Sequence, residues 1–443
     1  MLTQKKLVFY SFLALILGFT KPLLAQKKVI TISSFEELTN LIDRENLSLK
    51  NAGEQEILSR QQTIAAKLNA LNFKPITNFS LTDNVKLNVL FLPGEAFGGP
   101  PGSFKQITTG QQYISNFNIT PQLDLINPQA MAKIKVSKSY EQVTKANNQL
   151  AKKNLYENLA AIYYSALSLQ KQVLITKLHL SNMDSLENIL KAKFNEGISR
   201  QQELNTFEIN HLTVANKLAQ LEIMWQQQLY TLYLWCDLSG STELKLNENQ
   251  IQFPLETNLV TAENKINTRQ KEALINYYHS DLRASQWGNL PTLTLFGSYA
   301  WQQNTNNRFL DQNKWINSAY IGLRVSVPLV DFTKMANAQY LKISLKIAEN
   351  DRSHAVLQDS LSNQQLSLEY KKTMGDHQTN LKIEQLRKEN YIKALSLYGE
   401  GIMNQKDLLE VSNELLISKL NVLNSKASLS LAYSKIIINQ QIK

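Results

Sequence analysis

From Ala130 to Glu196 the chain contains neither proline nor glycine, and from Lys334 to Glu400 it contains only Gly375 and Gly399. At about 1.5 Å per residue, each run is long enough for a helix of roughly 100 Å. Asn127-Pro128 supplies an N-cap and a proline at the first helical position, and Asp331 opens the second run. Lys, Asn, Gln and Glu recur every few residues in both, so neither helix is apolar enough to cross a membrane. Helices of this length without a broad apolar face need neighbours, and their Leu, Ile, Ala and Tyr seams predict coiled-coil-like packing. A rigid helical stalk with no lumen satisfies the helices equally well.

Four other segments alternate with period two. From Thr77 to Phe91 the odd positions are almost all apolar, and the even positions from Asn78 to Asn88 are Asn, Ser, Thr, Asn, Lys and Asn. Tyr113 to Leu125 repeats the pattern, with Pro121 better suited to an edge or bulge than to a paired interior. Leu293 to Trp301 and Ala319 to Leu329 follow. Strands in soluble domains average about five or six residues. Alternation over about 10 residues or more is the pattern of transmembrane β-strands, apolar towards lipid and polar towards a lumen. A half-buried antiparallel sheet in a soluble protein alternates in the same way. Between the first two segments, Pro93 to Gly102 holds seven of the chain's 15 Gly and 10 Pro, as expected of a long surface loop.

The N-terminus favours the membrane reading. Lys5 and Lys6 precede an apolar run from Leu7 to Phe19, and Leu23-Leu24-Ala25 follows. This is a secretory signal peptide, residues 1–25, with cleavage expected near Ala25; an uncleaved anchor would need about 20 apolar residues. The single cysteine, Cys236, excludes a disulfide framework and lies too far downstream to carry an acyl anchor. Removing Lys5, Lys6 and Lys21 lowers the formal charge from +10 to +7. That charge is spread without a dense Lys/Arg cluster and reads as a solvated surface, with no nucleic acid implied.

The chain also repeats itself. Phe194-Asn195-Glu196-Gly197-Ile198 returns 204 residues later as Tyr398-Gly399-Glu400-Gly401-Ile402. The same offset pairs Leu125-Ile126-Asn127 with Leu329-Val330-Asp331, Met131-Ala132 with Met335-Ala336, and Gln201, Glu203 and Leu204 with Gln405, Asp407 and Leu408. Agreement at both ends of the long helix and across a change of period indicates two copies of one unit, residues 26–250 and 251–443. Each reads as leading helix, two strands, long helix, sharp turn and returning helix. The leading helices are expected from Ser34 to about Leu71, with Ser34 and Glu37 as a capping box and Gly53 as a break, and from about Leu255 to Gly288. Gly197 and Gly401 suit left-handed turns, after which Ser199 with Gln202, and Asn404 with Asp407, can cap the returning helices.

Four strands cannot close a barrel, and inside lipid every backbone group must be paired. Two copies would give eight strands with an interior filled by side chains; three would give twelve, which can enclose water. A conduit therefore favours a homotrimer.

The duplicated plan, the strand Ile321-Gly322-Leu323-Arg324-Val325-Ser326-Val327-Pro328-Leu329 running into a long helix, and two turns carrying Glu-Gly-Ile together resemble the TolC-like outer-membrane efflux proteins. The resemblance covers essentially the whole mature chain. It implies an α+β membrane protein: a two-repeat protomer giving four strands to a trimeric 12-stranded outer-membrane barrel, continued by a long periplasmic α-helical barrel. It further implies a passive exit duct working with a periplasmic adaptor protein and an inner-membrane transporter that supplies the energy. Gly197 and Gly401 would mark the periplasmic tip. Asp407 and Glu410 fall on the family's acidic gate ring, and Glu203 on a position that helps latch the closed mouth. Met403 departs from the pattern, since the family often has an arginine there.

As i,i+3 neighbours, Asp407 and Glu410 share a helix face, and three copies would bring six carboxylates around a narrow axis. Acids near a helix N-terminus are also favoured by the dipole alone. No Walker loop, dinucleotide turn or Gly-x-Ser-x-Gly elbow is present, and His179, His211, His279, His354 and His377 each stand alone in the sequence. No enzyme, cofactor or metal is expected. Trp301 and Trp315, near strand ends, suit an interfacial aromatic girdle. The competing reading is a periplasmic adaptor or structural stalk without a pore.

Overall fold

The computed structural model describes residues 28–238, 242–247, 264–311, 315–329 and 331–442. The expected signal peptide, with cleavage near Ala25, and the expected helix start at Leu255 lie outside these residues. The chain forms two compact units. One comprises the chain up to Gly53 with Gln149–Ile266 and Gln358–Lys443; the other comprises Glu54–Asn148 and Asn267–Leu357. Each unit thus draws on both halves of the sequence. Among the described residues, no helix is long and apolar enough to cross a membrane.

The second unit is built on an antiparallel sheet of β2 (Lys74–Asp83), β5 (Tyr113–Ile126), β7 (Thr292–Thr305) and β8 (Trp315–Ser326), in the order β2-β5-β7-β8. The register places Phe79 opposite Phe117, Phe117 opposite Trp301, Ile119 opposite Tyr299, and Leu295 opposite Leu323. The apolar odd positions of all four strands therefore share one face, and Asn118, Thr294 and Ser298 lie on the other. The outer strands β2 and β8 are exposed along almost their whole length, with Phe79, Leu81, Ile321, Leu323 and Val325 open to solvent in the single chain. The sheet does not close on itself.

Two details depart from the sequence reading. The alternation from Thr77 to Phe91 spans two strands. Beyond β2 the chain turns at Asn84, whose side-chain amide donates to Gln111 O at 2.9 Å and whose backbone N–H donates to Gln112 O at 2.7 Å. It resumes as β3 (Asn88–Pro93), which pairs with β4 (Phe104–Thr109) in a separate hairpin. The apolar phase continues across the turn, so periodicity alone could not reveal the break. The Pro93 to Gly102 segment forms the end of this hairpin, with a 3₁₀ turn at Gly94–Phe97 and left-handed Gly98 and Gly102.

Pro121 suits an edge or a bulge by its chemistry, but it lies in β5 between two neighbours, where the register to β7 is unbroken. It faces Pro75, which also lacks an N–H, while the ladder to β7 is kept at Ile119–Tyr299 and Gln122–Phe296. Opposite Pro121, a Cβ at Gly297 would stand in ordinary contact with the proline ring at 3.8 Å but tightly against Tyr320 O at 3.2 Å.

At the foot of this sheet Asp124 is buried and accepts from Asn72 Nδ2 at 2.7 Å, Asn127 Nδ2 at 2.9 Å and Thr294 Oγ1 at 2.9 Å. One carboxylate therefore ties the strand ends to the start of the next helix. Asn127 Oδ1 accepts from Ala130 N at 3.0 Å, the cap expected for that helix.

The first unit is helical. α1 (Phe35–Glu45) begins at Ser34, whose hydroxyl accepts from Glu37 N at 3.1 Å, while the Glu37 carboxylate takes the N–H of Ser33 rather than of Ser34. The break to α2 (Leu47–Leu71) falls at Asn46 and not at Gly53. Asn46 donates its side-chain amide to Trp235 O at 2.9 Å, and its Oδ1 accepts from Leu49 N at 3.0 Å, capping α2. A short parallel pair, β1 (Lys28–Ile32) with β6 (Thr242–Leu246), was not foreseen in the sequence. Its Ile32, Leu244 and Leu246 join Leu38, Ile42, Leu159, Tyr163, Leu167 and Cys236 in the main core.

The long helices are α3 (Pro128–Asn195) and α6 (Phe332–Gly399), 68 residues each. They are followed by the returning helices α4 (Gln201–Trp235) and α7 (Gln405–Gln441). α5 (Ile266–Trp287) precedes β7. Gly375 does not interrupt α6.

Candidate functional site: the helical tip

The two sharp turns are built alike. Gly197 has φ +74° and Gly401 φ +75°, and a Cβ at either would meet open space, so backbone conformation alone selects glycine. Lys193 O accepts from Ile198 N at 2.9 Å, and Leu397 O accepts from Ile402 N at 2.9 Å. These six-to-one bonds define the helix-ending motif expected of a glycine at this point. Every partner in one turn lies 204 residues from its counterpart in the other.

Beyond the turns the caps diverge. Asn404 caps α7 as expected, its Oδ1 accepting from Asp407 N at 2.9 Å. α4 starts one residue later than Ser199 would place it. Its N-cap is Arg200, whose N–H donates to the Glu203 carboxylate at 3.3 Å; Arg200 has no side-chain acceptor, so only this half of a capping box forms.

The candidate gate, latch and turn residues all lie at this end of the helices. Asp407 is exposed, and one of its carboxylate oxygens accepts from Asn404 Nδ2 at 2.8 Å. Glu410 is exposed one turn on. Gln405, Leu408 and Leu409 bury the opposite side of the helix, so the two carboxylates face away from the protomer's own core. Glu203 is exposed, and its carbonyl accepts from Gln405 Nε2 at 3.3 Å. This bond joins the start of one returning helix to the start of the other.

Further links escaped the sequence reading. Lys193 Nζ lies 4.9 Å above the Tyr398 ring, Arg387 pairs with Glu414, and Asn413 Nδ2 donates to Asn210 Oδ1 at 3.1 Å. Met183, Leu190, Phe207, Val214, Leu409, Leu416 and Leu420 pack beneath them as one apolar cluster. Met403 is fixed through its backbone N–H, which donates to Leu397 O at 3.2 Å.

His211 stands alone in the sequence but not in the fold. Its Nε2 lies 2.7 Å from Asp184 Oδ1, with Glu187 beside them. The sequence held a usable signal: two helices folded back at Gly197 and Ile198 bring together residues equidistant from the turn.

At the level of sequence, no family model and no characterised protein matches the chain. Solved structures do match. The CmeC outer-membrane channel of Campylobacter jejuni superposes with a TM-score of 0.70 at 14% identity, covering 91% of this chain and 85% of that one. The chain has the fold of the TolC-like outer-membrane channels. The open-state MtrE channel of Neisseria gonorrhoeae gives 0.71 at 13% identity, over 91% of this chain and 88% of that one. VceC of Vibrio cholerae gives 0.67 at 14%, over 91% and 95%. The TolC-like likeness is thus one of fold and extends over nearly the full length on both sides.

Proposed function

We propose that the chain is the protomer of a passive outer-membrane exit duct. The observation that carries this reading is the four-stranded sheet. Its outer strands β2 and β8 have no outer partner among the described residues, and most of its apolar side chains share one face, while the other mixes Asn, Thr, Ser and Gln with Ile76, Ile114, Phe296 and Tyr320. In water such edges invite association; in lipid they require it. Three copies, each pairing β8 with the β2 of the next, would close twelve strands with the apolar face towards lipid.

The helical unit would then lie in the periplasm, each protomer arising from two copies of one unit, residues 26–250 and 251–443. The tip at Gly197 and Gly401 would form its mouth. There Asp407 and Glu410 would supply a ring of six carboxylates favouring cations, and Glu203, tied to Gln405, would help hold the closed state. The duct has no energy source of its own. An inner-membrane transporter would drive export through a periplasmic adaptor docked by coiled-coil contacts on the helical tips or their grooves. The outer-membrane channels that share the fold support this assignment.

The deciding measurement is the mass of the native complex extracted in mild detergent from isolated outer membranes. Three copies per particle, with ion conductance after reconstitution in a planar bilayer, are expected. A soluble monomer absent from the membrane fraction would overturn the duct and leave the stalk or adaptor reading.

A further inference from the structure

We propose a divalent transition-metal site formed by Asp184, Glu187 and His211, bridging α3 and α4 below the Gly197 turn. One ligand atom from each residue lies within 4.8 Å of the other two, and His211 Nε2 is 2.7 Å from Asp184 Oδ1. Asp184 and Glu187 stand at i and i+3 on α3, so both carboxylates leave the same helix face towards His211. The imidazole is preset: its ring stacks on the fully buried Phe207 at 6.2 Å between centroids and 27° between planes.

One imidazole and two carboxylates suit Zn²⁺, Co²⁺, Ni²⁺ or Cu²⁺ better than Mg²⁺ or Ca²⁺, which favour all-oxygen shells. Metal–ligand bonds of about 2.0–2.1 Å set neighbouring ligand atoms roughly 3 to 3.5 Å apart. The required adjustment is therefore at most about 1.3 to 1.8 Å between ligand atoms, within reach of an Asp184 side chain that is 59% exposed. Lys191 Nζ, 2.6 Å from Glu187 Oε1, would give up that carboxylate to the cation. Water completes the open side. A bound ion would crosslink the outgoing and returning helices close to the turn that separates them.

The test uses full-length protein purified without a polyhistidine tag and titrated with Co²⁺ and Cu²⁺. One ion per chain is expected, with electron spin-echo modulation from one imidazole nitrogen on Cu²⁺. His211→Ala and Glu187→Gln should each weaken binding at least tenfold. The double variant Asp407→Asn with Glu410→Gln should leave this binding unchanged, separating the site from the proposed carboxylate ring. Absence of imidazole modulation in the unaltered protein would overturn the proposal without any variant needing to fold. Equal affinity in the folded His211→Ala protein, or loss of binding in the ring variant alone, would do the same.

Discussion

Asn404 and Asp407 hold each other twice: Asn404 Oδ1 accepts from Asp407 N at 2.9 Å, and Asn404 Nδ2 donates to Asp407 Oδ2 at 2.8 Å. The same acid that would line the proposed gate thus helps start α7. Its two roles can be separated, because only the second bond uses the carboxylate. Asn404→Ala should destabilise the protein by about 1 kcal/mol, read as a lower thermal midpoint, with ion selectivity unchanged. Asp407→Asn with Glu410→Gln should do the reverse, reducing cation preference in reversal-potential measurements at a nearly constant midpoint.

The two turn glycines should behave as equals. Each sits near φ +75° with nothing within 4 Å of a would-be Cβ, so a substitution is strained without a clash. Gly197→Ala and Gly401→Ala should each cost about 1 to 2 kcal/mol in denaturant unfolding. Costs differing severalfold would show that neighbours, and not backbone strain, set the requirement.

The exposed edge β8 offers a test of strand closure. Leu323 is 64% exposed in the single chain and lies on the apolar face. Leu323→Arg should destabilise the detergent-extracted complex by about 2 to 4 kcal/mol if that face meets the bilayer midplane, seen as dissociation of trimers at lower temperature. Thr294→Arg on the opposite face is a poor control because Thr294 donates to Asp124. Ser298→Arg, on that same polar face, should leave trimer stability largely intact and alter conductance instead.

Acid should weaken the helical unit. Burial pushes the imidazoles of His179 and His377 below their ordinary range, and His377 also faces Lys426. His179 Nε2 is buried without a partner. Both histidines are therefore neutral when folded and take up protons more readily when unfolded. Their contribution is complete above the unfolded value of about 6.5 and is lost as pH falls towards the depressed folded values. Unfolding midpoints should drop between about pH 7 and 5, and the drop should shrink in His179→Gln with His377→Gln.

The long helices, their start signals and the turn glycines were legible because each rests on local chemistry: proline and Asn at one end, glycine at the other, and nothing between to break the run. Apolar phase likewise exposed the strands β5, β7 and β8. The split of β2 from β3 was hidden because the turn at Asn84 preserves that phase. Asn46 separates α1 from α2 by a local cap that the sequence reading missed, its Oδ1 accepting from Leu49 N, and by a bond to Trp235 O 189 positions away, which local pattern cannot register. Cap chemistry misled at Ser199, where Glu203 reaches back to Arg200. The positions of Asp407, Glu410 and Glu203 followed from the resemblance. Their links to Asn404 and Gln405 needed the fold, as did the meeting of Asp184, Glu187 and His211.

The equal lengths of α3 and α6 carry a constraint on how such a chain can change. Removing one residue from either helix would turn its end by about 100° and draw it back by about 1.5 Å relative to the other. Gln405 would then lose the Glu203 carbonyl, and Lys193 the Tyr398 ring, from a single deletion far from both. Substitutions can accumulate on the exposed faces of these two helices, but insertions and deletions are admissible only in matched pairs, because even a whole turn added to one helix displaces its end by about 5.4 Å.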